Sequence, residues 1–538
     1  MVTVSHQIVY RERNERYIMK KLVLIFSVLL LALCFAACSG QGDLPTLPNP
    51  DPTASKVDPC KDGHTFNDSS DICEKCDANY YDETLEFTLS ENREYYIVSG
   101  LGTCTRTVIR VPAKHANKPV RELSSSSFNA ASNFACEKIT EIYLPDSIRT
   151  ISANAFFKCC GLKKIEIPEG VTTIGQDALR ECTALETLRI PSTVKDIPGG
   201  LAQLCSSLKS VEIAGNIVHI GSYAFYQCAS LESIALPDSL TKLDGGIFSG
   251  CTSLKNVVMS TSVSTVGSAI FSDCTALELN EYNGMGYLGN KENPYYMLVR
   301  RVDPEQKQAV LHEQTVLIMR DAFAGTDINH LALNKNVTLI PYGTLSDLAY
   351  LETIEVAEGN PVYHADNNCL IETATKILVR GSKNAVIPTD GSVTKIGDFS
   401  FTNLKGLTSI VIPETITELG GSAFSNCRDL VYAVVSKNLT RVQFNIFTNC
   451  ESLISIYFLG NYNEWAAIDI PAGAGGGGLS FGDNDVFLNT TRYYYSEEFP
   501  TQNGNYWHYV DGEIVVWDNK PVETPEEEKP EEEKPEQA

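Results

Sequence analysis

Cys136, Cys159, Cys182, Cys205, Cys228, Cys251 and Cys274 follow one another at intervals of 23 residues without a slip, and the same step separates Cys427 from Cys450. Around each cysteine runs one pattern, Ala-Phe-x-x-Cys-x-x-Leu-x-x-Ile-x-Ile-Pro-x-x-Val-x-x-Ile-Gly. Ala155, Phe156, Cys159, Leu162, Ile165, Ile167, Pro168, Val171, Ile174 and Gly175 make one complete copy. Ala224, Phe225, Cys228, Leu231, Ile234, Leu236, Pro237, Leu240 and Leu243 make another. A fixed period of this size means that each repeat is one coil of a solenoid, unable to bury its apolar face alone and stable only when stacked.

Within a coil, Ile-x-Ile is a period-2 strand signal, with two side chains inward and the one between outward. The proline after it has no N–H for a ladder and ends the strand. Val-x-x-Ile-Gly makes a second short wall, and Ala-Phe opens the half-turn that returns the chain. Successive strands then pair in parallel into one long curved sheet, rising about 4.8 Å per coil. Later coils carry Thr326, Leu348 and Leu404 at the cysteine position, while Ala385-Val386-Ile387-Pro388 and Ser409-Ile410-Val411-Ile412-Pro413 keep the strand. The position therefore wants a small or medium apolar group. Stacked cysteines about 4.8 Å apart do not meet the Cβ spacing of about 3.5–4.5 Å that a disulfide needs, so the ladder should hold buried free thiols. Inserts at 278–297 and 358–377 break the pattern and are expected to bulge out as hairpins.

The pattern resembles the 23-residue leucine-rich repeats of bacterial surface antigens, the treponemal or BspA-like class, over roughly Leu85 to Phe458. The resemblance implies a mainly β repeat solenoid, a right-handed leucine-rich-repeat horseshoe with a parallel sheet, short return turns and a C-terminal β-hairpin cap. It also implies display on a bacterial surface and binding of a protein or glycan ligand, as in adhesion or host interaction. The rival reading is a structural surface scaffold that associates only with itself.

The flanks carry different signals. Met19-Lys20-Lys21 followed by the apolar Leu22–Phe35 reads as an export signal whose true start is Met19. Phe35-Ala36-Ala37-Cys38-Ser39-Gly40 resembles a bacterial lipoprotein lipobox, with Cys38 the lipidated residue, although Phe35 is larger than the residue usual there. Residues 1–38 are thus assigned to the signal, 39–59 to a Pro- and Asp-rich tether, and the membrane to a partner through the N-terminal lipid. The solenoid should occupy 85–460 and a glycine-rich loop with an aromatic cap 461–518. Around Asp511-Gly512, the segment from Tyr493 to Trp517 alternates aromatic and polar residues, a hairpin signal. Its rings could stack on sugars or seal the exposed core of the last coil. The tail, 519–538, contains a Pro/Glu/Lys repeat unable to bury apolar surface.

The net charge of −24 argues against nucleic acid, whose binders need a basic footprint. Between Pro521 and Ala538 there are eight Glu and two Lys, so the folded part is acidic as well. In 60–84, Cys60-x3-His64-x8-Cys73-x2-Cys76 has the ligand types of a tetrahedral structural zinc site. Two disulfides among Cys60, Cys73, Cys76 and Cys104 suit an oxidising compartment equally by type. No cofactor other than that zinc is implied. Two catalytic motifs are missing: there is no His-Glu-x-x-His and no Walker lysine. Gly473, Gly475 and Gly478 match a dinucleotide fingerprint only in spacing, inside a glycine run without strand or helix signals.

The outward residue of each strand defines a lane across the sheet. It begins Tyr143, Glu166, Arg189, Glu212, Ala235 and Val258, mostly charged and solvated in character. It resumes as Val386, Val411, Val434 and Tyr457, with Tyr432 beside them. Outward positions in water should be polar, so this apolar stripe is expected to be either a binding surface or ground covered by the segment after Phe458.

Overall fold

The computed structural model describes residues 84–471 and 484–517. Cys38, the Cys60, His64, Cys73 and Cys76 set, the glycine run and the Pro/Glu/Lys repeat lie outside the described residues. The chain divides into two compact units, one ending at Glu278 and one beginning at Leu279.

In the first unit the repeat forms two parallel ladders instead of a single sheet. The longer strands are Val108–Arg110, Glu141–Tyr143 and Lys164–Glu166, then Thr187–Ile190, Ser210–Ile213, Ser233–Ala235 and Asn256–Val258. Their register advances by one repeat per strand, as in Leu188 opposite Val211 and Ile234 opposite Val257. The Val-x-x-Ile-Gly wall forms the second ladder, in which Asp196–Ile197, His219–Ile220, Lys242–Leu243 and Thr265–Val266 pair in order. Between the two, the proline carbonyl accepts the N–H three residues on, at 3.0 Å from Val171 to Pro168 and 2.9 Å from Leu240 to Pro237. Proline thus ends one strand and closes the turn that starts the next. Glu86–Leu89, antiparallel to Tyr96–Gly100, caps the first coils; nothing in the repeat signals this hairpin.

The return half of each coil is held by left-handed residues. Asn154, Asp177, Gly200, Tyr223, Gly246 and Ala269 share positive φ at one position of successive repeats, and Lys158, Glu181, Leu204, Gln227, Gly250 and Asp273 at another. Asn, Asp and Gly tolerate this region, which explains their frequency here. Inside, the phenylalanines stack coil upon coil, with centroids 5.7 Å apart for Phe225 and Phe248 and 5.6 Å for Phe248 and Phe271.

The ladder cysteines are free and buried, as expected. From Cys159 to Cys274 each also has a polar task the repeat pattern does not reveal. Cys182 Sγ lies 3.2 Å from the Phe156 carbonyl, Cys205 3.1 Å from Leu179, Cys228 3.2 Å from Ala202 and Cys251 3.2 Å from Phe225. The thiol fills an apolar slot and donates to a carbonyl of the preceding coil.

In the second unit the ladders recur, and both inserts are hairpins. Asn280–Tyr282 and Met285–Leu288 pair antiparallel, as do Tyr363–Asp366 and Cys369–Glu372. Asn280–Tyr282 is exposed, but the inner strands do not bulge into solvent. Met285 to Leu288 and Cys369 to Ile371 are buried, and the strands that follow, Met297–Arg301 and Ile377–Gly381, join the short ladder in parallel with Leu317–Ile318 and Lys395–Ile396. Apolar runs such as Cys369-Leu370-Ile371 bury both faces, which a projecting hairpin would not do. Between the coils of Leu348 and Leu404, whose ladder position carries leucine in place of cysteine, the buried Arg380 guanidinium donates to the carbonyls of Leu348 (2.8 Å), Phe399 (3.1 Å) and Thr402 (3.0 Å).

At the C-terminal end, Thr491–Tyr495 adds in parallel to Ser455–Phe458, and Tyr506–Val510 turns at Asp511-Gly512 into Glu513–Val516. Trp507 is fully buried, its indole N–H donating to the Phe458 carbonyl at 3.0 Å. The aromatic hairpin is therefore a cap.

Candidate binding surface

Along the longer ladder of the first unit, Arg110, Tyr143 and Glu166 are register partners, as are Arg189 and Glu212. With the flanking Lys164, Glu169 and the prolines of the turns they line a groove of about 740 Å³. The Arg110 guanidinium sits 4.1 Å from the Tyr143 ring centroid, and the Tyr143 hydroxyl donates to Glu141 at 2.6 Å, which raises its pKa. Lys164 pairs with Glu166 at 2.7 Å; Arg189 pairs with Glu169 at 2.5 Å and with Glu212 at 3.2 Å. Hydrogen bonds from Ser192 and Arg189 hold the Glu169 carboxyl below its ordinary value. The face is a mosaic of both signs whose ion pairs all stand in solvent. Sequence reading set this half of the lane aside as solvated because single outward charges do not show that coil after coil they border one trough.

The second half of the lane differs from expectation. Val411, Val434 and Tyr457 are register partners, as read from the repeat. Val386 and Val411 are 67% and 50% exposed, and Tyr432 and Tyr457 are half-buried. Val434, expected as an outward contact residue, is fully buried, and that assignment is corrected. The reason is aromatic: Tyr457 meets Tyr432 at 5.8 Å, Tyr493 at 5.2 Å and Trp507 at 5.4 Å between centroids, so rings from the cap close over this end. The stripe shrinks to Val386 and Val411.

A second groove, of about 380 Å³, lies along the short ladder of the first unit between Asp177 and Tyr223. His219 is held there, its Nε2 2.9 Å from Asp244 and its Nδ1 3.8 Å from Asp196. Among the described residues no three His, Cys, Asp or Glu side chains are grouped to hold a metal ion.

These coils match a family model described as the BspA type leucine rich repeat region, in six copies over residues 124–230, 192–291 and 378–467. The chain is a BspA-type leucine-rich-repeat protein. Solved structures similar to it include a leucine rich cell surface protein from Faecalibacterium prausnitzii, at 21% identity over 73% of this chain and 98% of that one, with a TM-score of 0.32. A leucine-rich repeat protein from Bacteroides ovatus is 18% identical over 72% and 97%, with a TM-score of 0.36. The leucine rich repeat protein of T. pallidum is 26% identical over 36% and 89%, with a TM-score of 0.28. Comparison with curated proteins finds no match. No helix among the described residues of this BspA-type protein is long and apolar enough to cross a membrane.

Proposed function

We propose that this BspA-type protein is a bacterial surface-displayed binding protein, held to the membrane through a lipid on Cys38, that takes a polypeptide ligand along the groove from Arg110 to Glu212. The repeat class supports surface display. The groove carries the reading. Its Lys164–Glu166 and Arg189–Glu212 pairs are solvent-exposed, and such pairs are worth about 0–1 kcal/mol each, so a ligand can exchange them for its own charges at little cost. A face alternating in sign along the ladder suits the mixed charges of a protein surface, and like-charge mismatch then selects among partners.

The test is an array of extracellular proteins and glycans probed with the full chain and with Arg189→Glu/Glu166→Lys. A protein ligand whose Kd rises about tenfold or more in the variant, at unchanged thermal midpoint, supports the reading. Binding indifferent to the charge swap moves the site elsewhere. Concentration-dependent self-association without any foreign ligand favours the scaffold reading instead.

A further inference from the structure

The left-handed turn position of the first unit alternates between a side chain and none: Asp177, Gly200, Tyr223 and Gly246 occupy it in four successive coils. Each side chain leans over the glycine that follows. A Cβ on Gly200 would collide with the Asp177 carboxylate, and one on Gly246 with the Cδ1–Cε1 edge of the Tyr223 ring. Asp177 and Tyr223 both border the groove along the short ladder, the carboxylate lying over Gly200 and the ring edge over Gly246. The floor of the groove is the backbone of Gly199, Gly200, Gly221 and Ser222.

Tyr223 is unusual at this place. An aromatic residue at φ 59° is held in a sparsely populated conformation, whereas glycine in the neighbouring coils adopts it freely. The side chain is nevertheless 51% exposed, and its ring is steadied by Tyr226, edge-on at 5.6 Å. A strained and exposed ring contributes little to the core, and this one borders the groove. Around it, Gln176, Gln203 and Ser222 line the same space with side-chain amides and a hydroxyl. The His219 ring is fixed by Asp244.

We infer that this groove is a saccharide subsite for a neutral hexopyranose-based glycan, with Tyr223 as the stacking platform. A pyranose offers an apolar C–H face and a belt of hydroxyls that both donate and accept, which matches one aromatic plane beside amide, carboxylate and hydroxyl groups. Strand addition is closed here, as it is on the longer ladder, because His219–Ile220 is paired on both sides. Asp177 and Asp244 line the groove together with Arg180, which pairs with Asp177 at 4.0 Å, and the chain's net charge of −24 disfavours sialylated or sulfated glycans.

The experiment is saturation-transfer NMR and calorimetry of the full chain with cellohexaose, maltohexaose and mannohexaose, comparing native protein with Tyr223→Gly and Gln203→Ala. Tyr223→Gly removes the ring while relieving the left-handed backbone, so the fold is retained and the thermal midpoint stays level or rises. Binding of at least one oligosaccharide, weakened about tenfold or more by Tyr223→Gly and less by Gln203→Ala, is the expected result. No binding of any of the three, or binding undiminished in Tyr223→Gly, overturns the assignment. No polypeptide is present in the assay, so its outcome is independent of the groove from Arg110 to Glu212.

Discussion

The buried thiols should make the first unit collapse in mild alkali. Burial pushes Cys205 and Cys251 from an ordinary 9.0 up to about 12, and burial with neighbouring thiols pushes Cys159, Cys182 and Cys228 well above the ordinary value. The folded state keeps protons that the unfolded chain gives up, so this stability is complete below about pH 9 and is lost as the pH rises toward the folded values. Each such thiol removes about 1.4 kcal/mol per pH unit in that window, and five together about 7 kcal/mol. A domain stable by about 5–15 kcal/mol then unfolds between about pH 10 and 11. Circular dichroism and thiolate absorbance, followed together from neutral pH, should change in one step. The triple variant Cys182→Ala/Cys205→Ala/Cys228→Ala should be weaker in urea at neutral pH yet lose stability less steeply with pH, by about 4 kcal/mol per unit. Thiolate absorbance that rises while the native dichroism persists through about pH 11 would refute the reasoning, since the thiols would then ionise inside the fold.

Other consequences are separable. Arg380→Met removes donors from three buried carbonyls and should cost about 2–4 kcal/mol in urea unfolding of the second unit; an unchanged midpoint would mean that water or backbone replaces them. Val434→Ser should destabilise by about 2–3 kcal/mol, while Val411→Ser, half exposed, should stay within about 0.5 kcal/mol; equal effects would contradict the buried and exposed placements. Trp507→Ala should cost about 3–5 kcal/mol by opening the cap, measured by thermal unfolding, and a neutral result would detach the cap from the stability of the last coils. Cys38→Ala should release the protein from membranes or leave its signal uncleaved, and unchanged fractionation and processing would refute lipidation there.

The repeat was legible because its period forces equivalent residues into register. Ile165, Ile167 and Val171 are buried and Glu166 is exposed, as the alternation requires. What a single coil could not disclose is what adjacent coils do to each other. Glu166, Arg189 and Glu212 read separately are solvated charges, and only their stacking gives a groove. Val434 has the alternation of an exposed residue, yet it is roofed by rings whose sequence positions lie tens of residues away, a tertiary effect that no local period encodes. The inserts misled in the opposite sense: their loss of period suggested excursions, but Leu370 and Ile371 bury successive faces because the hairpin replaces part of a coil. The left-handed positions stand between these cases. Asn154, Asp177, Gly200 and Gly246 mark them in the sequence by residue type, and against that background Tyr223, like Ala269 and Phe399, breaks the local rule. A departure of this kind persists where surrounding structure holds it, and it is at such departures from local consistency that a binding role is best sought.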